Sequence, residues 1–238
     1  SLSLRVLAPP SEADLSQLRA FGERHDLALY LQPGGPDSLE PSSANSLAPS
    51  YRLPGFDLDM AFRPYHFVQI NAAINRQLVE RACELLEIGP QDRVLDLFCG
   101  LGNFSLALAR RAREVVGVEG DSSLVEWARY NATRNGIDNA IFHAADLAGE
   151  LAGQAWLQGR YEKILLDPPR SGALETMPRL AALGARRVVY VSCHPATLAR
   201  DVGELVHRYS FRLAAAGIVD MFPHTAHVES IAVLVREQ

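Results

Sequence analysis

The chain has 238 residues, of which 48% are hydrophobic and 21% are charged, and its formal net charge is −5. These values are typical of one or two globular domains, and the acidic balance argues against a free-standing nucleic-acid binder, which usually carries a basic excess. The start, SLSLRVLAPP, has no basic segment before an apolar region, and no apolar run reaches the roughly 18 residues of a membrane span, so we expect a cytoplasmic protein with no membrane role.

The first segment predicts a small α+β unit. Ser1 to Leu7 alternates like a strand, Ser11 to Arg24 has helical apolar spacing behind a Ser11 cap, and Leu27 to Leu31 returns as a strand. Pro33 to Ser50 is dense in proline, glycine and serine, which predicts a long loop. Because this unit opens abruptly, we expect residues 1–61 to be the end of a domain that begins outside the chain.

The next elements lead into a second domain, expected over residues 62–238. Tyr51 to Ala61 predicts a hairpin around Pro54-Gly55, and Asn71 to Glu87 predicts an amphipathic helix. Taken alone, Gln69 and Asn71 are typical turn and cap residues.

From Arg93 onward, strands and helices alternate, which predicts an α/β fold with a mostly parallel, doubly wound sheet. The predicted segments are Val94 to Leu97, Leu106 to Arg111, Val115 to Glu119, Ser122 to Asn135, Ala140 to His143, Tyr161 to Asp167, Met177 to Leu183, Arg187 to Ser192, Pro195 to Arg208, Phe211 to Val219 and Val228 to Val235. In such sheets, ligands bind outside the carboxyl ends of the strands.

One stretch in this region indicates a nucleoside-containing cofactor. The strand Val94 to Leu97 runs into Phe-Cys-Gly-Leu-Gly, where Gly100 and Gly102 allow close approach of a ligand. Glu119 ends the next strand 19 residues after Gly100, the spacing that brings a carboxylate to a ribose diol. The third glycine of the dinucleotide fingerprint is absent, which disfavours a pyrophosphate.

Several chemically active residues lie at or just past predicted strand ends, so we expect them to line one cleft: Asp96, Glu119, Asp146, Asp167 and Cys193. Each has a structural alternative. Asp146 and Asp167 are also suited to capping a helix or a turn, and Cys193 to being a small buried residue.

A metal or disulfide framework is not indicated. His224 and His227 lack a third ligand at a recognised spacing. Cys83, Cys99 and Cys193 are odd in number and widely separated, which disfavours disulfide pairing and a four-cysteine cage.

Seven ordered motifs resemble those of the RNA uracil-5-methyltransferase family, and they extend from residue 67 to residue 230. They are FVQIN (67–71), LDLFCGLGNF (95–104), VEGD (118–121), AADL (144–147), LLDPPRSGA (165–173), YVSCHPATLARD (190–201) and DMFPHTAHVES (220–230). The opening segment, with LYLQP at residues 29–33, more weakly resembles the central domain of the bacterial 23S ribosomal RNA branch of the family.

The resemblance implies a Rossmann-like class I methyltransferase fold, S-adenosylmethionine as cofactor, and 23S ribosomal RNA as substrate. It implies Cys193 as the nucleophile and Glu229 as the base. It also implies a set of residues that contact the cofactor: Gln69, Phe98, Asn103, Glu119, Asp146 and Asp167. We expect a helix amino terminus near Pro195, or a neighbouring cation, to favour the Cys193 thiolate.

The family also carries an amino-terminal TRAM domain and, in its 23S branch, an iron-sulfur cluster on four cysteines. Neither is present in this sequence, so we expect the catalytic part of a longer protein, monomeric and weak in RNA binding by itself. A uridine in transfer RNA or at another ribosomal site is the alternative substrate.

Three other functions are disfavoured by particular residues. An amino-methyltransferase normally has an aromatic residue after Asp-Pro-Pro, where this chain has Arg170, and does not use Cys193 or Glu229. A cytosine-5-methyltransferase would need a second cysteine near Pro168 to Ser171. A non-catalytic nucleoside-binding module would leave Cys193 inert.

Overall fold

A computed structural model describes residues 1–35, 38–42, 48–149, 151 and 153–236. By internal contacts the chain separates into two compact units, Ser1–Tyr51 with Ala61–Val68 and Arg52–Met60 with Gln69–Gln238. A domain division at residue 61 stays a prediction. In the described residues, no helix combines the length and the apolar character that crossing a membrane requires.

The first unit contains a small sheet and one helix. Strands β1 (Leu2–Arg5) and β2 (Leu29–Gln32) pair in parallel and are connected by helix α1 (Glu12–His25). Ser11 caps α1 in a reciprocal arrangement with Asp14, because each side chain accepts a hydrogen bond from the other residue's backbone N–H. The sequence predicted all three elements.

The structure differs in one respect from the loop that the sequence predicted over Pro33 to Ser50. Residues 36–37 and 43–47 lie outside the described residues, but Glu40–Pro41 forms a short strand, β3, antiparallel to β2. A two-residue strand has no periodicity of its own, so the sequence could not indicate it. Strands β4 (Ser50–Leu53) and β5 (Leu58–Ala61) then flank a 3₁₀ turn at Pro54–Phe56, as the predicted hairpin requires.

The second unit is built on a seven-stranded sheet in the order β11-β12-β10-β9-β6-β7-β8. The strands are β6 (Arg93–Leu97), β7 (Glu114–Glu119), β8 (Ala140–Ala144), β9 (Lys163–Leu166), β10 (Arg187–Ser192), β11 (Arg212–Val219) and β12 (Glu229–Val235). Five adjacent strands, β10, β9, β6, β7 and β8, are parallel to one another. Strand β12 runs antiparallel to both of its neighbours, β10 and β11. The predicted doubly wound α/β sheet is therefore confirmed.

In its described residues this unit has five α-helices: α2 (Ala72–Leu86), α3 (Ser105–Ala109), α4 (Ser122–Arg134), α5 (Met177–Ala182) and α6 (Pro195–Arg208). Asn71, Asp121 and His194 cap α2, α4 and α6 through side-chain acceptors. The central strands are almost completely buried, as is usual when helices flank a parallel sheet. This rigid core fixes the strand ends that carry the candidate site residues.

Candidate active site

The loop after β6 makes the floor of the candidate site. Phe98 and Gly100 have positive φ angles of 63° and 54°, and Gly102 has 94°. No heavy atom lies within 4 Å of a Cβ built on Gly100. Positive φ suits glycine and strains a phenylalanine. The turn therefore exposes bare backbone at the carboxyl edge of the sheet.

Glu119 lies beside this turn at the end of β7. Its two carboxylate oxygens accept hydrogen bonds from the Gly100 and Asp121 N–H groups, both at 3.0 Å. Each oxygen keeps a lone pair for a further donor. The carboxylate is thus held in a fixed orientation, and a pair of ribose hydroxyls could donate to it.

Asp96, within β6, is completely buried below the same loop. The Ser105 hydroxyl donates to its Oδ2 at 2.5 Å, while Oδ1 has no hydrogen-bond partner in the described part of the chain. Burial raises the pKa of Asp96 to about 7, against the opposing effect of Ser105, and Glu119 adds to the rise. A buried polar atom without a partner needs an explanation, and a bound ligand is one.

Cys193 and Glu229 are brought face to face by the register of two strands. Ser192 of β10 lies opposite Ser230 of β12, and the Ser230 hydroxyl donates to the Ser192 carbonyl at 2.8 Å. Continuing this antiparallel register by one residue sets Cys193 opposite Glu229. Opposed residues share a face, with Cβ atoms about 4.5–5.5 Å apart. In keeping with this register, the Glu229 carboxyl group is near enough to the thiol to raise the pKa of Cys193.

Burial dominates the electrostatics of this pair. Glu229 is 2% exposed and its Oε1 has no hydrogen-bond partner among the described residues. Burial raises its pKa to about 7. Asp167, at the end of β9, has a pKa well above its usual range because of burial, with Glu229 and Asp96 adding to the rise. Three carboxyl groups thus share one enclosed region.

The neighbouring cation expected at the thiol is present, but groups that oppose ionisation outweigh it. The pKa of Cys193 is raised, chiefly by burial and further by Glu229 and Asp167. Arg170 is the expected neighbouring cation, and it does lower the pKa, but its effect is smaller than those of burial and the two carboxyl groups. The sequence showed the helix start and the arginine, but not that two acids would face the sulfur.

The remaining predicted site residues are Gln69, Asn103 and Asp146. Gln69 is half-buried and lies two residues before Asn71. The Asn103 side chain forms two reciprocal amide hydrogen bonds with Asn75, both at 3.0 Å. Asp146 is exposed and accepts from the Ala148 N–H at 3.0 Å within a local turn, and not at the start of a helix, which its structural alternative predicted.

Sequence reasoning did not identify two polar contacts that organise the site. The Asn71 side chain caps α2 and also donates to the Met221 carbonyl at 3.4 Å, which connects the start of α2 to the segment before Glu229. Asp201 on α6 is completely buried and bonded to the loop after Asp167. The acidic residue in the otherwise apolar face of α6 was the available signal for Asp201.

The described residues contain no group of three or more histidine, cysteine, aspartate or glutamate side chains arranged to hold a metal ion. His224 and His227 are both exposed. All three cysteines are free; Cys83 and Cys99 are buried, and Cys193 is half-buried. Cys193 is thus the most accessible thiol.

Comparisons with known proteins show which family and which structures this chain is similar to. The profile of the family described as tRNA (Uracil-5-)-methyltransferase matches residues 52–237. The chain is 54% identical over 233 residues to the 23S rRNA (uracil(1939)-C(5))-methyltransferase RlmD of Xanthomonas campestris, covering 98% of this chain and 52% of the relative. It is 55% identical over 241 residues to the protein of the same name from Alkalilimnicola ehrlichii, covering 100% and 54%. The chain therefore spans about half the length of the curated relatives it matches.

Among solved structures, the chain resembles the Pyrococcus abyssi tRNA (uracil-54, C5)-methyltransferase in complex with S-adenosyl-L-homocysteine. The TM-score is 0.71 at 30% identity, covering 87% of this chain and 50% of that one.

Proposed function

The chain belongs to the tRNA (uracil-5-)-methyltransferase family, and from that premise we propose that it transfers a methyl group from S-adenosylmethionine to C5 of a uridine in 23S ribosomal RNA. The observation that carries the proposal is that Cys193 follows directly on Ser192, which pairs with Ser230 of β12 beside Glu229, and that the Glu229 carboxyl group acts electrostatically on the thiol. A thiol and a carboxyl group on one face are the two groups that this reaction needs.

The residues around the glycine turn fit the cofactor. Glu119 is oriented to accept from ribose hydroxyls, and the bare backbone at Gly100 leaves space for a ligand. The unpartnered Oδ1 of Asp96 is suited to a polar group of the cofactor. Gln69, Phe98, Asn103, Asp146 and Asp167 complete the proposed binding set. Bound there, S-adenosylmethionine would supply a methyl group on a positively charged sulfur.

Cys193 is the proposed nucleophile because uracil C5 is too weakly nucleophilic to accept a methyl group directly. The thiolate forms a bond to C6, and the electrons of the C5–C6 double bond move toward the O4 carbonyl to give an enolate. C5 of this enolate is then the nucleophilic carbon. Arg170 favours the thiolate, and burial and the two neighbouring carboxyl groups oppose it.

Glu229 is the proposed base. After C5 has accepted the methyl group it still carries its hydrogen, so the carboxylate removes that proton. The C–H electrons restore the C5–C6 double bond, the C6–S bond breaks, and Cys193 leaves as a thiolate. Glu229 Oε1, which has no hydrogen-bond partner among the described residues, is the oxygen proposed to take the proton.

The substrate must reach this cleft as an unstacked base, since C5 and C6 of a paired uridine are enclosed within a helix. The choice of 23S ribosomal RNA rests on the two curated relatives, which carry that name at 54% and 55% identity. A uridine in transfer RNA is the second candidate, favoured by the Pyrococcus abyssi structure at 30% identity.

The RNA affinity of this chain is proposed to be low. It has 23 lysine and arginine residues against 28 acidic ones, and phosphate contacts normally dominate RNA affinity. The proposed activity is therefore best assayed at saturating RNA. Incubation with methyl-labelled S-adenosylmethionine and a uridine-containing RNA loop should give labelled 5-methyluridine after digestion. Label in another nucleoside, or none, would contradict the proposal.

Replacing Glu119 tests the cofactor site. We expect Glu119→Ala to weaken S-adenosylmethionine binding by about 1.5–3 kcal/mol, because the ribose hydroxyls lose a charged acceptor. Isothermal titration calorimetry measures the change. Glu126→Ala is the control, since Glu126 is an exposed acid on α4 and its loss changes the net charge equally. Equal affinities for the two variants would remove Glu119 from the site.

The pKa of Glu229 predicts the pH dependence of the final step. Burial raises that pKa to about 7, so the carboxyl group is protonated below this pH and cannot accept the C5 proton. We expect resolution of the covalent adduct to speed up as pH rises through about 7. A pH jump applied to a preformed adduct isolates this step from thiol ionisation. A resolution rate that is constant from about pH 5.5 to about pH 8.5 would contradict the assignment.

A further inference from the structure

Asp201 is a buried carboxylate that the proposed chemistry does not use. It lies on α6, is 0% exposed, and accepts three hydrogen bonds. The donors are the Ala173 N–H at 2.7 Å, the Tyr190 hydroxyl at 2.7 Å and Arg200 Nε at 2.8 Å, and Arg200 Nη2 forms an ion pair with Oδ1 at 2.7 Å. A buried charge is costly unless it is paired and fully hydrogen-bonded, and this one is both.

The same face of α6 holds the loop from Pro168 to Ala173. Arg200 Nη2 donates to the Ser171 carbonyl at 2.9 Å, and the Thr197 hydroxyl shares its hydrogen between the Arg170 carbonyl at 3.2 Å and the His194 carbonyl at 3.0 Å. Gly172 has a φ of 78°, and a Cβ there would lie 2.6 Å from Asp201 Oδ2. Only glycine permits this contact, so the loop and the helix are closely fitted to each other.

The contacts between the Pro168–Ala173 loop and α6 connect the segment that carries Arg170 to the helix that follows Cys193. Helix α6 begins two residues after Cys193, and its cap, His194, accepts from the Thr197 N–H at 3.3 Å. The loop follows directly after Asp167 and carries Arg170. The contacts between loop and helix therefore hold the backbone of Arg170 beside the first turns of α6.

We propose that Asp201, Arg200 and Thr197 are positioning residues, which hold the Pro168–Ala173 loop against α6 so that the Arg170 guanidinium faces Cys193. This rests on the proposed function, in which Cys193 acts as a thiolate. The groups that act on the sulfur are Glu229 and Asp167, which oppose ionisation, and Arg170, which favours it. Releasing the loop removes the favourable group and leaves both unfavourable ones.

The thiol itself reports the position of the loop. Iodoacetamide alkylation of the 238-residue chain, followed by mass spectrometry of the Cys193 peptide across a pH series, measures thiolate formation without RNA or cofactor. Cys83 and Cys99 are buried, and burial raises the pKa of Cys83 to about 12 and that of Cys99 well above its usual value. The readout is therefore specific for Cys193.

We expect Arg200→Ala and Thr197→Val to slow alkylation about three- to tenfold at neutral pH and to move its midpoint upward, as loss of a nearby cation requires. Thr197→Ser keeps the hydroxyl and should restore the parent profile. Arg208→Ala is the control, because Arg208 is an exposed arginine at the other end of α6. Asp201→Asn should give the largest shift, and a melting curve recorded beside it shows whether that variant folds.

Profiles of Arg200→Ala and Thr197→Val that match the parent would overturn the proposal, as would an equal shift in Arg208→Ala. Since alkylation requires no methyl transfer, the test decides the positioning role separately from the proposed function. A chain that methylates no RNA but shows the expected shifts would contradict the function and support the positioning role.

Discussion

Cys193→Ala should reduce methyl transfer to RNA at least about 10³-fold while the affinity for S-adenosylmethionine stays within about twofold of the parent. The reason is that the thiol acts on the uracil ring, whereas the cofactor contacts lie around the Gly100 turn and Glu119. Measurement of label transfer at saturating RNA, together with calorimetric titration of the cofactor, separates the two effects.

The matched control is Cys83→Ala, which removes a buried thiol on α2. That variant loses some packing in the core but should retain activity. A Cys193→Ala protein with activity within tenfold of the parent would eliminate the covalent mechanism. A large loss of cofactor affinity would instead indicate that Cys193 supports the cofactor site.

Glu229→Gln should block the reaction after methyl transfer, whereas Cys193→Ala should block it before the covalent bond to C6 forms. Cys193 still adds to C6 and C5 still accepts the methyl group, but an amide cannot remove the C5 proton. The methylated adduct should therefore accumulate as a protein–RNA complex that survives denaturation. Glutamine has nearly the same shape, and residue 229 keeps its strand pairing with Val219 through backbone atoms.

A denaturing gel with labelled RNA detects this complex. The double variant Cys193→Ala/Glu229→Gln is the control, since without the thiol no complex should form. If Glu229→Gln turns over as the parent does and leaves no trapped RNA, another group is the base. Asp167 would then be the next candidate, because its pKa is also raised in the same region.

The sequence predicted the sheet well because parallel strands buried on both faces are continuous apolar runs with clear ends. The Glu119 spacing and the glycine turn follow from the same regularity, and the structure joins them through a direct hydrogen bond. The roles of the site residues remain proposals. Their location near the strand ends, however, could be predicted from where the strands end along the sequence.

Other properties depend on which side chains meet across the fold. The opposition of Cys193 and Glu229 requires β12 to pair with β10 in one particular register, and residues 36 positions apart in sequence do not reveal it. The raised pKa of the thiol depends on two carboxyl groups from other strands. Asp201 could be noticed as an acid on a helix, but its partners in the loop after β9 are visible only in three dimensions.

The central claim is that Cys193 bonds covalently to C6 of a uridine, and 5-fluorouridine tests it most directly. Fluorine at C5 cannot be removed by a base, so after methyl transfer the adduct cannot resolve. We predict that the parent chain, incubated with S-adenosylmethionine and 5-fluorouridine-containing RNA, forms a denaturation-resistant complex whose modified peptide carries the nucleotide on Cys193. Methylation of ordinary RNA with no such complex, or attachment at another residue, would contradict the account.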